Sequence, residues 1–142
     1  LRSATLSFEM TLPQIRDVSK AVPCEILIYG RLPLMVTENC IIQGKTGSCS
    51  CTMGPTKLAD KTGAEFHVIK DGASCRSVLL NGKKLNLLDR QNDLSKLGLW
   101  ATRLYFTTEN AKEVDRVLGS VLNPVPFDPG ASTRGLYLRG VE

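Results

Sequence analysis

The sequence is poor in the residue types that carry much hydrolytic and metal chemistry. It has one histidine and one tryptophan in 142 residues, and aromatic residues make up only 6%. There is no H-E-x-x-H zinc motif and no G-x-S-x-G nucleophile elbow, so neither familiar hydrolase signature applies. No apolar run approaches the roughly 18 residues of a membrane span, and no signal-peptide pattern or low-complexity tract is present. The expected location is therefore the cytoplasm, with no membrane partner. Charge of one sign is also scarce. The net charge is +4, shared equally by the two halves, so no basic stripe signals duplex binding. A mild positive field of this size remains compatible with an RNA substrate.

What is present suffices for one domain with a core: 42% of residues are apolar and 23% charged. The chain begins at Leu1 with Thr5-Leu6-Ser7-Phe8 already reading as a strand, which suggests a piece of a longer protein. Thr11, Pro13 and Gln14 form a helix start with a capping box, and Leu12, Ile15, Val18 and Val22 give the helix an apolar face. Glu25–Tyr29 reads as a buried strand ending at Gly30, and Leu34–Thr37 as a second extended piece. From Glu38 to Pro55 periodicity vanishes, which predicts a loop. Two strands follow, at 64–69 and 74–80, with Asp71-Gly72 as their turn; 85–88 is expected to pair again. A short helix over about 90–97, a strand over 100–106 and a helix capped by Asn110 and Glu113 complete the pattern.

Strands alternating with amphipathic helices predict an α/β fold of parallel βαβ units. The chain is too short for a closed eightfold barrel, so the expectation is a partial TIM-barrel-like domain over 1–122. A cysteine-bearing β-hairpin is inserted at about 56–88. The Pro- and Gly-rich stretch 123–142 reads as a C-terminal arm or linker.

Cysteine is the unusual component. Five occur, at 24, 40, 49, 51 and 75. Without a secretory signal a disulfide framework is a poor default, and a thiolate metal or cluster site becomes the alternative to reduced, half-buried thiols. The spacing alone does not choose between them: only Cys49 and Cys51 are close, and one intervening residue is too tight for a zinc knuckle or a ferredoxin pattern. Cys40 and Cys75 flank the Gly/Ser-rich loop at strand ends. Cys24, beside Pro23 at a strand start, reads as a core thiol.

The segment Glu25-Ile26-Leu27-Ile28-Tyr29-Gly30-Arg31-Leu32-Pro33-Leu34-Met35, running on to Cys40, resembles the core of the collagenase-like peptidase family, family U-thirty-two. The stretches Leu58–Gly63, Ser74–Ser77, Arg103–Phe106 and Thr133–Gly140 extend the resemblance from about Thr5 to Glu142. Glu9 stands at that family's strand acid, with Phe8 in place of its usual proline. Pro33 stands where some branches carry a cysteine, and Lys61 where arginine is commoner. The resemblance implies the C-terminal part of a barrel-like domain and a protein named for peptidase, or protease, activity. Several relatives are instead implicated in hydroxylating RNA bases or quinones and carry a four-cysteine iron–sulfur cluster. Carried over by position, Cys40, Cys49, Cys51 and Cys75 become the ligands of a 4Fe-4S cluster, with zinc as a replacement in an isolated piece.

Three functions follow as expectations. The first is a cluster-dependent enzyme modifying RNA or a small molecule. Arg31 and Arg103, at the ends of neighbouring strands, would grip an anionic substrate there, beside Tyr29. Their structural alternatives are a salt bridge from Arg31 to Glu9 or Glu38, and core packing for Tyr29. The second is a true peptidase acting on protein, with catalytic residues elsewhere or a dyad of Cys75 and His67 on adjacent strands. The third is a non-catalytic assembly module whose open sheet edge is covered by the remainder of a longer chain or by a second copy. The piece by itself is expected to be inactive.

Overall fold

The computed structural model describes residues 2–48, 56–71, 75–123 and 130–139. The protein is mixed α/β, with parallel and antiparallel strand pairs, and divides into two compact units. The first is Leu1–Gly30 with Lys84–Glu142; the second is Arg31–Lys83.

In the first unit the central strand is β2 (Cys24–Gly30), whose seven residues are buried or nearly so. It is branched and apolar, as a strand covered on both faces must be. β8 (Ala101–Tyr105) runs parallel along one edge, with a bulge between Leu27 and Tyr29. The other edge is shared. β1 (Ala4–Thr5) pairs in parallel with Cys24 and Glu25, and β7 (Lys84–Asn86) pairs antiparallel with Tyr29 and Gly30. The parallel pairing of the 25–29 and 101–105 segments matches the βαβ reading. β1 is shorter than the 5–8 strand expected, because the chain turns at once: the Met10 amide donates to the Ser7 carbonyl.

Helix α1 (Leu12–Ser19) starts with the capping box of Thr11 and Gln14 and buries Ile15. Helix α4 (Ala111–Leu122) has the same device in Asn110 and Glu113 and buries Val117. Ile28, Leu94 and Val121 wall one cavity, so α4 and the short helix α3 (Gln91–Ser95) lie on the Ile28 face of the sheet.

The tail corrects the expectation of an arm. Residues 124–129 and 140–142 lie outside the described residues, but 130–139 belong to the first unit. β9 (Ser132–Thr133) pairs with β7 in parallel. Tyr137 is fully buried; its hydroxyl donates to the Leu27 carbonyl at 2.9 Å and its own carbonyl accepts from the Leu12 amide. Arg134 clasps Asp89 with both guanidinium nitrogens and the Asn86 carbonyl with one. A Gly/Pro-rich composition hid this because the anchoring rests on two isolated side chains.

The second unit is a four-stranded antiparallel sheet in the order β3 (Pro33–Thr37), β6 (Arg76–Leu80), β5 (Glu65–Asp71), β4 (Thr56–Ala59). Its buried residues include Leu32, Ile42, Val68, Ser77 and Leu80. The hairpin expected at about 56–88 ends earlier, since Lys84–Asn86 joins the first unit's sheet as β7. The expected loop after Glu38 contains a short helix, α2 (Ile41–Thr46). Cys40 caps it, its sulfur accepting from the Gln43 amide at 3.3 Å, and Gly47 ends it at a φ of 73°. A cysteine cap and an internal Gly44 gave the helix no sequence signature.

Candidate functional site

The carboxyl ends of parallel strands are where α/β proteins place their chemistry. In the first unit that end holds Tyr29, Lys84, Glu109 and Glu113. Gly30 makes the close packing possible. Its φ is 129°, and a Cβ there would stand 2.1 Å from the Tyr105 carbonyl oxygen. Lys84 opens β7 directly beside this point. Its ammonium lies 2.9 Å from Glu109 Oε1 and 3.6 Å from Glu113 Oε1, and donates to the Tyr29 hydroxyl at 3.4 Å. The Glu109 side chain has no exposed surface. Its Oε2 accepts from the Thr107 and Thr108 amides at 2.8 and 3.1 Å. Oε1 meets the ammonium as an ion pair off the direction of an aligned hydrogen bond. The Tyr29 ring also packs on Phe106, with centroids 5.8 Å apart.

Electrostatics fixes the protonation states. Burial pushes Glu109 up, but the Lys84 ammonium and the two amides outweigh it and hold the carboxyl below its usual range. Burial opposes the charge on Lys84, and Glu109 and Tyr29 overcome it, leaving the ammonium more basic than usual. Burial raises the Tyr29 phenol despite Lys84. At neutral pH the cluster is therefore an ammonium, a carboxylate and a neutral phenol. Lys84 in this state is an electrostatic anchor and not a nucleophile.

The expected arginines are engaged in the fold. Arg103 pairs with Glu25, whose Oε1 also accepts from the Thr5 hydroxyl, so three neighbouring strands are bridged by one carboxylate. About half of the Arg103 side chain stays exposed. Arg31, in the second unit, donates to the carbonyls of Asn81 and Gly82. Glu38, one of the two partners considered for it, pairs with Arg76 at 3.0 Å.

Of the cysteines, Cys24 is fully buried in the first unit, its thiol donating to the Val22 carbonyl at 3.0 Å. Cys40 and Cys75 both belong to the second unit. The β3–β6 ladder ends at Thr37 and Ser77, and Cys40 and Cys75 lie just beyond that end on the two chains. The Glu38–Arg76 ion pair and the bond from the Ile41 amide to the buried Ser77 hydroxyl hold the chains together there. Cys49 and Cys51 lie outside the described residues. Among the described residues no three of His, Cys, Asp and Glu come together as a metal site.

The Cys75–His67 dyad does not form. His67 pairs with Leu80, five residues along the chain from Cys75. At about 3.4 Å per strand residue that is roughly 17 Å along the sheet.

Comparison with protein-family models, curated proteins and solved structures found no match. Among the described residues no helix is long and apolar enough to cross a membrane. Sequence reading named Tyr29, which is almost wholly buried in this cluster, and did not name Lys84 or Glu109. Nothing in the sequence links two residues 25 apart, and an acid next to a helix cap reads as solvated.

Proposed function

We propose that the chain is the cluster-bearing part of an iron–sulfur-dependent enzyme that modifies RNA or a small molecule by hydroxylation, as its resemblance to the collagenase-like peptidase family implies. The observation that carries this reading is the placement of Cys40 and Cys75 at one end of the β3–β6 ladder. Two soft thiols at one sheet end suit the donor set such a cluster requires. The Cys40 sulfur already accepts a backbone hydrogen bond, as cluster-ligating sulfurs commonly do. Cys49 and Cys51 would complete the set. The cluster, when bound, supplies electron-transfer or Lewis-acid chemistry; the chain's own residues hold it and orient the substrate. The partial barrel-like arrangement is part of the same proposal, supported by three parallel strands alternating with helices.

The half-exposed Arg103 guanidinium, beside its Glu25 partner, suits a substrate carboxylate or phosphate. Tyr29 and Lys84 would rigidify the adjoining carboxyl end. No observation favours the peptidase reading, and the separation of His67 from Cys75 works against its one visible dyad.

Iron and acid-labile sulfide analysis of anaerobically purified protein tests the proposal. Near-stoichiometric iron and sulfide, lost in Cys40→Ala and Cys75→Ala, is the expected result. No charge-transfer absorption, with iron and sulfide at background in wild type and both variants, would leave the four cysteines as packing thiols.

A further inference from the structure

The sole tryptophan is placed oddly for an apolar residue. Trp100 is 66% exposed, yet its backbone is fixed: its amide donates to the Cys24 carbonyl at 2.9 Å, just before β8 begins. Gly98, at a φ of 68°, turns the chain into this position. Trp100 lines a cavity of about 330 Å³ together with Ile28, Leu94, Leu99, Ala101 and Val121. Gln91, Ser95 and Thr102 also line it, and no charged residue does. Every lining residue belongs to the first unit. The cavity lies near the amino end of β8, away from the Tyr29–Lys84–Glu109 cluster.

These features select a ligand class. An indole carried on a fixed backbone is a stacking platform for a planar π system. The Gln91 amide and the Thr102 hydroxyl offer donors and acceptors, and the Ser95 hydroxyl, which donates to the Asn92 carbonyl, offers an acceptor; together they match the edge of a nucleobase. The volume is at the small end for ligand pockets, which run from about 300 to 1,000 Å³, so it suits a single ring system. The surroundings also disfavour an anion. Val121 lies in the last turn of α4, and a second cavity sharing the Trp100 wall is lined by Ser19 and Lys20 at the end of α1. Helix carboxyl termini carry partial negative charge. The exposed Lys20 ammonium pairs with Asp17 at 3.0 Å, a carboxylate that Arg16 also meets at 3.5 Å.

We propose that this cavity binds a neutral nucleobase, stacked on Trp100 and hydrogen-bonded by Gln91, Ser95 or Thr102. The site is independent of the cysteine cluster and would stand if the cluster reading failed.

Because Trp100 is the only tryptophan, intrinsic fluorescence reads the site directly. The test titrates the chain with adenosine, adenosine monophosphate and cyclohexanol, excited at the red edge of indole absorption. Saturable quenching by adenosine is expected, about two- to fivefold weaker for the monophosphate because of the helix termini. Gln91→Ala should weaken adenosine about three- to tenfold. Val121→Phe, which fills the cavity, should abolish the response while leaving the emission of the free protein near its original wavelength. Three results would overturn the proposal: no saturation by adenosine, an equal response to cyclohexanol, or tighter binding of the monophosphate. A blue shift that follows protein concentration without ligand would assign the indole to an interface between copies instead.

Discussion

Lys84 Nζ stands 2.9 Å from Glu109 Oε1, pairing an almost buried ammonium with a carboxylate that has no exposed surface. This contact joins β7 to the loop before α4, beside the Tyr29 phenol that burial keeps neutral. A buried pair is costly to assemble and far costlier to halve, because removing one charge strands the other.

Glu109→Gln and Lys84→Met should therefore each destabilise the protein by about 3 kcal/mol, measured by urea denaturation. The double variant should recover part of that loss. Additive losses would mean that the two residues act separately. The pH dependence has a definite sign. The folded state holds the Glu109 carboxyl below its ordinary value of 4.5, so its contribution is present above that pH. It is lost as pH falls through the folded value. Wild type should lose more stability on acidification below about pH 4.5 than Glu109→Gln does.

Gly30→Ala should cost more than about 2 kcal/mol. The substitution combines an unfavourable positive φ with a Cβ placed 2.1 Å from the backbone oxygen of Tyr105. Backbone, unlike the end of a side chain, cannot swing away, so β8 itself must shift. Thermal denaturation measures the loss, and a change within 0.5 kcal/mol would show that the Gly30–Tyr105 approach can relax.

The parts of the fold that were legible carry a local physical signal. β2 is a run of branched residues, and α1 and α4 begin with side chains that satisfy their own orphan amides, Thr11 with Gln14 and Asn110 with Glu113. Helix α2 carried no such signal, since its cap is a sulfur and its length is six residues. Tyr137 was hidden for a different reason: one aromatic in a glycine-rich tail has no periodicity, and its anchor, the Leu27 carbonyl, is 110 residues away. The same applies to the site. Tyr29 ends a readable strand, whereas Lys84 and Glu109 become neighbours only through the pairing of β7 with β2.

The clasp of Arg134 on Asp89 should hold the tail to the first unit. Its guanidinium keeps the Asp89 carboxyl below the usual range. Arg134→Ala removes two charge-assisted contacts and the bond to the Asn86 carbonyl together. Limited proteolysis should then cut at 130–139 several times faster than in wild type, with the rest of the chain resistant. Unchanged cleavage would assign the anchoring to Tyr137 alone.

Tyr137 separates packing from hydrogen bonding at one position. Its ring is fully buried and its hydroxyl donates to the Leu27 carbonyl within the central strand. Tyr137→Phe keeps the ring and leaves a buried carbonyl one partner short, at a cost of about 1–2 kcal/mol. Tyr137→Ala removes the ring as well and should cost about 3–5 kcal/mol. Burial also raises the phenol well above its ordinary value of 10. The folded state thus prefers the neutral phenol, so its contribution is complete below about pH 10 and falls as pH rises toward the folded value. Wild type should lose stability above pH 10 more steeply than Tyr137→Phe, as followed by urea denaturation between pH 8 and about 11. Parallel curves for the two proteins would mean that the hydroxyl is solvated in the folded state, against the bond to Leu27.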